Sequence, residues 1–135
     1  MEFIEQNMVY ILSALLIVWV LWKRVLAPRL AGVKSLSAAD YMQFRHQEHI
    51  LLDVRQPAEW SSGHAKDAMH MPLSEVGAHM HEISRDKPVV VICASGNRSA
   101  MAATALAKAG FAMVYNFSGG MGAWQGAGLP TQSGA

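Results

Sequence analysis

A lone cysteine closes a short apolar run. Val89, Val90, Val91 and Ile92 lead into Cys93, and Ala94, Ser95, Gly96, Asn97, Arg98 and Ser99 follow. The run reads as a buried strand, and the stretch from Arg98 reads as a helix. Such a junction aims free backbone N–H groups and the positive end of a helix dipole at whatever sits there, so it favours an anion. A thiol at that place is drawn toward the thiolate, its nucleophilic form. Gly96 permits a left-handed backbone or a close approach. Arg98 offers a fixed positive charge to an anionic substrate. Several successive loop N–H groups turned inward, with Arg98 and with Ser99 accepting at the helix start, would then cradle a thiolate or a persulfide carried on it. The competing reading is a small buried hydrophobe, the ordinary fate of a lone cysteine behind an apolar strand. The adjoining glycine and arginine favour the nucleophile.

Other groups that could do chemistry point elsewhere. Asp53 lies inside an apolar run and needs a partner if buried, and Arg55 is a candidate. The two read as ties between a strand end and its loops, with a catalytic role as the alternative. Six histidines are present, but neither His79 with His81 nor His46 with His49 has the geometry of a metal set. His64, Trp60 and Trp124 read as structural. A single cysteine excludes an internal disulfide and a Cys-x-x-Cys zinc site, and it fits a reducing compartment. A formal net charge of +1 with no basic block excludes a nucleic-acid partner on charge grounds.

The elements that position Cys93 follow from periodicity. Residues 33–36 form an edge strand, and Ser37 opens a helix to about His46 that buries Tyr41 and Phe44. Residues 50–54 are a central strand, residues 57–60 a helical turn, and residues 68–71 a short strand stopped by Pro72. Ser74 caps a helix carrying Val76, Met80 and Ile83 on one stripe. Residues 89–93 form a second central strand, and residues 98–109 an alanine-rich helix closed by Gly110. Residues 113–117 form another strand, Gly119 and Gly120 break the chain, and residues 121–125 form a last short helix. Alternating strands and helices predict an α/β domain with a mainly parallel central sheet flanked by helices. Sites in such sheets form at the carboxyl ends of strands, where Cys93 lies.

A different solvent is implied before the domain. Residues 8–22 are apolar apart from Tyr10 and Ser13. As a helix they span about 22 Å. Phe3, Ile4 and residues 25–27 lengthen the segment, and snorkelling of Lys23 and Arg24 brings it to the roughly 30 Å of a bilayer core. The start carries Glu2 and Glu5 and no basic residue, unlike a secretory signal. Lys23, Arg24, Arg29 and Lys34 follow the apolar run, which predicts a single-pass anchor in the inner or plasma membrane with its N-terminus outside and the domain in the cytoplasm. A peripheral or core helix is the alternative. The expected organisation is a transmembrane helix over residues 1–27, a linker over 28–32, the domain over 33–130 and a loose tail over 131–135.

Several motifs in order carry a resemblance. The loop Cys93-Ala94-Ser95-Gly96-Asn97-Arg98-Ser99 resembles the active-site loop of the rhodanese (sulfurtransferase) family. Leu52-Asp53-Val54-Arg55, with Pro57, Glu59, Trp60 and Gly63-His64-Ala65, is similar to the early signature of that family. Residues 68–72 are similar to the strand and turn that follow it. Gly119-Gly120-Met121, with Ala123 and Trp124, is similar to the closing segment. The match spans roughly residues 33–130, and membrane-anchored single-domain members form a known subgroup. The resemblance implies that Cys93 takes sulfur from thiosulfate or a persulfide donor. Cys93 would hold it as a persulfide and pass it to cyanide or a thiol. It implies that the loop N–H groups steady the persulfide, that Arg98 attracts the donor, and that no metal or organic cofactor is needed. Protein phosphatases and arsenate reductases of related fold place five residues between cysteine and arginine, whereas this chain has Ala94, Ser95, Gly96 and Asn97. The shorter ring suits a sulfur atom better than a tetrahedral oxyanion. The alternative function is a membrane-tethered module that binds a membrane-associated protein, with Cys93 non-catalytic or redox-sensing.

Overall fold

The computed structural model describes residues 2–23 and 32–134. Two helices lead the chain, α1 (Glu2–Gln6) and α2 (Met8–Leu21). They are separated at Asn7, whose side-chain amide donates back to the Phe3 carbonyl at 2.8 Å. The expected anchor is therefore interrupted: α2 has 14 residues, about 21 Å of helix. Among the described residues, no helix is long and apolar enough to cross a membrane. Residues 24–27, the rest of the expected anchor, lie outside the described residues, as do residues 28–31 of the expected linker.

The domain alternates strands and helices, as periodicity predicts. Strand β1 (Lys34–Leu36) is followed by α3 (Ala38–Phe44) and β2 (Ile50–Asp53). Then come α4 (Pro57–Ser62), β3 (His64–Ala65), β4 (Met69–His70) and α5 (Leu73–His79). Strand β5 (Val89–Ile92), α6 (Asn97–Lys108), β6 (Val114–Phe117), α7 (Gly120–Gly126) and β7 (Thr131–Gln132) complete it. Five strands form one parallel sheet in the order β1-β6-β5-β2-β4. Strand β5 thus lies in the middle, and its C-terminal end delivers Cys93 to the carboxyl edge of the sheet.

Both sheet faces are covered, which explains why the central strands read as continuous apolar runs. Side chains alternate along β5. Val89, Val91 and Cys93 pack with Val76 of α5 and Ala102, Ala103 and Leu106 of α6. Val90 and Ile92 pack on the other side with Tyr41 of α3 and Met121 and Trp124 of α7. Small alanines on α6 let that helix lie close to the sheet and hold the loop before it.

Local capping matches expectation at α3, where the Ser37 hydroxyl accepts the Asp40 N–H at 3.1 Å. It differs at α5. The Met71 and Leu73 N–H groups bond to the Asp53 and Val54 carbonyls at 2.9 and 3.1 Å. The chain therefore turns into the helix straight after Pro72, and Ser74 falls inside the first turn instead of capping it. The helix also stops at His79, with a 3-10 turn over Met80–Glu82 bringing Ile83 back to the core.

The tail expected to be loose is partly anchored. Thr131 and Gln132 pair antiparallel with Ala65 and His64, and the Gly134 N–H donates to the Ser61 carbonyl at 3.1 Å. Leu129 is buried, and the Trp124 indole N–H holds the Pro130 carbonyl at 3.0 Å. An apolar anchor and two backbone ties outweigh the Gly/Ser/Thr composition that suggested looseness.

Candidate functional site

The site is a loop of backbone wrapped around one sulfur. Cys93 directly follows β5 and is fully buried, and Ala94, Ser95 and Gly96 carry the chain into the first turn of α6. Gly96 has φ of 100° and so takes the left-handed conformation that closes the turn without strain. Its N–H then points inward and donates to the Cys93 sulfur at 3.0 Å. The thiol faces the Ser99 hydroxyl at 3.3 Å. Burial pushes the thiol up. The Ser99 hydroxyl and the N–H groups of Ser99, Ser95 and Gly96 push it down further, so the balance lies below the ordinary value of a thiol. This is the electrostatic condition for a nucleophilic sulfur.

A second segment braces the loop from behind. Gly119 and Gly120 turn the chain at the end of β6, and the Met121 N–H donates to the Cys93 carbonyl at 2.9 Å. The approach is so close that a Cβ on Gly120 would stand 2.4 Å from both the Cys93 and Ala94 carbonyl oxygens. The glycine pair is therefore part of the wall of the site, not merely a chain break.

Arg98 is on the loop but its charge is already engaged. Its guanidinium holds both Glu59 carboxylate oxygens, at 2.6 and 2.9 Å. The Arg98 bond lowers the Glu59 carboxyl to about 2, with partial burial opposing and the Gln56 N–H assisting. Arg98 rises in turn, chiefly through Glu59. Instead of standing free for an anion, the arginine ties α6 to α4, with about a third of each side chain exposed. Glu59 reaches it because Glu59 also caps α4, accepting the Gln56 N–H at 3.1 Å.

Asp53 and Arg55 are both buried. The Arg55 Nε lies 3.1 and 3.0 Å from the two Asp53 oxygens, and its Nη2 is 2.9 Å from Oδ2. Arg55 Nη2 also donates to the Gly63 carbonyl at 2.7 Å. The pair locks the end of β2 to the turn before β3, in line with a structural tie. Trp60 stacks on His64 (centroids 3.5 Å apart) and on His70 (4.6 Å), so the three rings act as one packed unit. Among the described residues, no group of three or more metal-ligating side chains converges.

Sequence reasoning overlooked Asn116. It lies on β6, next to Val91 of β5 in register. Its Oδ1 accepts the Ser99 hydroxyl at 2.5 Å and its Nδ2 donates to the Gly96 carbonyl at 3.2 Å. The available signal was a polar amide inside an otherwise apolar strand, which requires partners when buried. Only the fold identifies those partners as the loop around Cys93.

The geometry has counterparts among known proteins. A crystal structure of a rhodanese-related protein from Thermoplasma volcanium is 35% identical, with a TM-score of 0.67, covering 73% of this chain and 97% of that one. A rhodanese-like domain protein from Staphylococcus aureus is 25% identical, with a TM-score of 0.66 and coverage of 74% and 99%. A Rhodopseudomonas palustris protein of unknown function, described as a possible tyrosine phosphatase, is 26% identical, with a TM-score of 0.68 and coverage of 78% and 91%. The model of the rhodanese-like domain matches residues 37–127. That stretch holds the whole parallel sheet except β1, the loop from Cys93 to Ser99 and the bracing glycines, and the chain therefore belongs to the rhodanese-like domain family.

Proposed function

We propose that this protein is a membrane-anchored sulfurtransferase that works through a Cys93 persulfide. The observation that carries the reading is the seat of the sulfur, held by the Gly96 N–H at 3.0 Å and kept below its ordinary ionisation point. In the first half-reaction the thiolate attacks the outer sulfur of thiosulfate. The new bond joins the two sulfurs, and the old sulfur–sulfur bond breaks with its electron pair leaving as sulfite. In the second, a cyanide or thiol acceptor attacks the outer sulfur, and the Cys93 thiolate departs as leaving group. The N–H groups of Ser95, Gly96 and Ser99, which bear on the Cys93 sulfur, would steady the terminal sulfur's negative charge, with those of Ala94 and Asn97 completing the loop. Arg98, paired with Glu59, shapes the loop, and its part-exposed side chain would draw an anionic donor toward it.

The anchor is proposed from α2. It buries none of its residues, and Val9, Leu15 and Val18 are each more than half exposed. A continuous apolar surface of that kind calls for a bilayer or a protein. In sequence, residues 8–27 supply the roughly 20 positions a bilayer span takes, and the basic residues Lys23, Arg24, Arg29 and Lys34 favour the cytoplasmic side for the domain. The same helix favours a second reading, a tethered module that recruits a membrane-associated protein, in which Cys93 does no chemistry.

Mass spectrometry of the intact, unreduced chain after incubation with thiosulfate separates the two. Wild type gains one sulfur atom that cyanide then removes as thiocyanate, whereas folded Cys93→Ser gains none. A folded wild type that takes up no sulfur from thiosulfate or from a persulfide donor refutes the enzyme reading.

A further inference from the structure

Three groups lead to the sulfur in a chain whose proton directions are all determined. The Gly96 carbonyl can only accept, so the Asn116 group facing it at 3.2 Å is the NH2. The other end of the amide, facing Ser99 at 2.5 Å, is then the oxygen, which can also only accept. The single Ser99 proton is thereby committed to Asn116. What Ser99 offers the sulfur at 3.3 Å is a lone pair, and the sulfur must supply the hydrogen. A hydroxyl in that state stabilises a thiol and does nothing for a thiolate.

We propose that Asn116 is a positioning residue that sets the protonation state of Cys93 through Ser99. At rest it holds the Ser99 proton away from the sulfur, so this one hydroxyl favours the S–H form while the loop N–H groups favour the thiolate. The nucleophile forms when the S–H proton passes to a solvent base and the Ser99 hydroxyl turns from Asn116 to the sulfur. No bond other than S–H is broken. In that state the Ser99 hydroxyl donates to the thiolate, the direction in which a hydroxyl stabilises the charged sulfur. The inference rests on Cys93 being the nucleophile of the proposed reaction, but the proton chain itself is independent of any sulfur donor.

Charged groups around the sulfur stay the same in the comparison. Arg98 on α6 faces it with Glu59 of α4 behind. Asp53 and Arg55 neutralise each other at the end of β2, and His70 on β4 is held on the Arg55 carbonyl at 2.8 Å. From α5 the packing is apolar, through Val76, and the segment at Gly120 and Met121 brings no titratable group.

Cys93 is the only cysteine, so the ultraviolet absorbance of the thiolate in the full chain, minus that of Cys93→Ser, titrates this one group without any donor. Asn116→Ala frees Ser99 to donate to the thiolate, so the midpoint falls by roughly half to one pH unit, the difference between a neutral and a charge-assisted hydrogen bond. In a Ser99→Ala background the shift vanishes. If Asn116 merely buttressed the loop, its loss would slacken the Gly96 N–H bond and raise the midpoint. A rise, or an equal shift in both backgrounds, overturns the proposal. Should Asn116→Ala fail to fold, the near-isosteric Asn116→Asp serves. It holds the Ser99 proton more firmly, so its midpoint rises, and the rise is smaller in the Ser99→Ala background, where only through-space charge remains. An equal rise in both overturns the proposal as well. The expected shifts in a protein that accepts no sulfur would refute the sulfurtransferase reading alone. Normal sulfur uptake with the wrong shifts would refute this inference alone.

Discussion

Gly120 carries no side chain, yet replacing it should damage the seat of the Cys93 sulfur. A Cβ there would stand 2.4 Å from the Cys93 and Ala94 carbonyl oxygens. Both are backbone atoms, one at the end of the central strand and the other in the loop, so neither yields by a rotamer change. Either the end of β5 or the start of α7 must move by about 1 Å, with overpacking that costs roughly 1–3 kcal/mol. The Met121-to-Cys93 hydrogen bond, 2.9 Å long, stretches in the process, at about 1 kcal/mol. A φ of 58° adds about 1 kcal/mol for any side chain. Gly120→Ala is therefore expected to cost about 3–5 kcal/mol, a large share of the roughly 5–15 kcal/mol of a typical domain. Gly122→Ala is the matched control. It lies two residues along the same helix with nothing near its would-be Cβ, and should be neutral or stabilising by about 0.5–1 kcal/mol. Urea denaturation of the full chain followed by the tryptophan signal gives both values, and persulfide formation from thiosulfate reports the loop. A Gly120→Ala cost no larger than that of Gly122→Ala would refute the view that this glycine is the wall behind the sulfur.

Breaking the buried pair by Asp53→Ala leaves Arg55 charged and unpartnered, and should cost about 3–5 kcal/mol in the same denaturation assay; a neutral result would mean Arg55 reaches solvent. Glu59 titrates in the folded protein at about 2 instead of 4.5, so its bond to Arg98 contributes above about pH 4.5 and is lost as pH falls toward about 2. Because the pair is about a third exposed, solvent screening limits that contribution to about 1 kcal/mol. Glu59→Gln should accordingly lower stability by about 1 kcal/mol at pH 7 and by nothing near pH 2, and a difference that persists in acid would contradict this. Arg98→Ala should raise KM for thiosulfate at least several-fold while a neutral persulfide donor is less affected; unchanged thiosulfate kinetics would remove Arg98 from donor binding.

Order and type of elements were legible because apolar runs and helical periodicity are local. Residues 89–93 and 50–54 read as central strands, and β5 and β2 are indeed internal strands of the sheet, paired with each other. The helix over 98–109 begins one residue earlier, at Asn97, within the fraying of any helix end. Less legible were features set by distant partners. Ser74 looked like a cap until β4 locked to β2 and forced the turn at Pro72. The tail looked loose until Leu129 found the core and Thr131 found Ala65.

Cys93 and the glycine that turns its N–H inward could be singled out from sequence alone, because a strand-to-helix junction is a local object with its own dipole. The family motifs around Asp53, Glu59 and Gly119 were visible for the same reason. Only the tertiary structure decided what the neighbouring charges do. Arg98 meets Glu59 across 39 positions of chain, and Asn116 reaches Ser99 across 17. Partners so far apart become neighbours through sheet register and helix packing, which the short-range pattern of residue types does not encode.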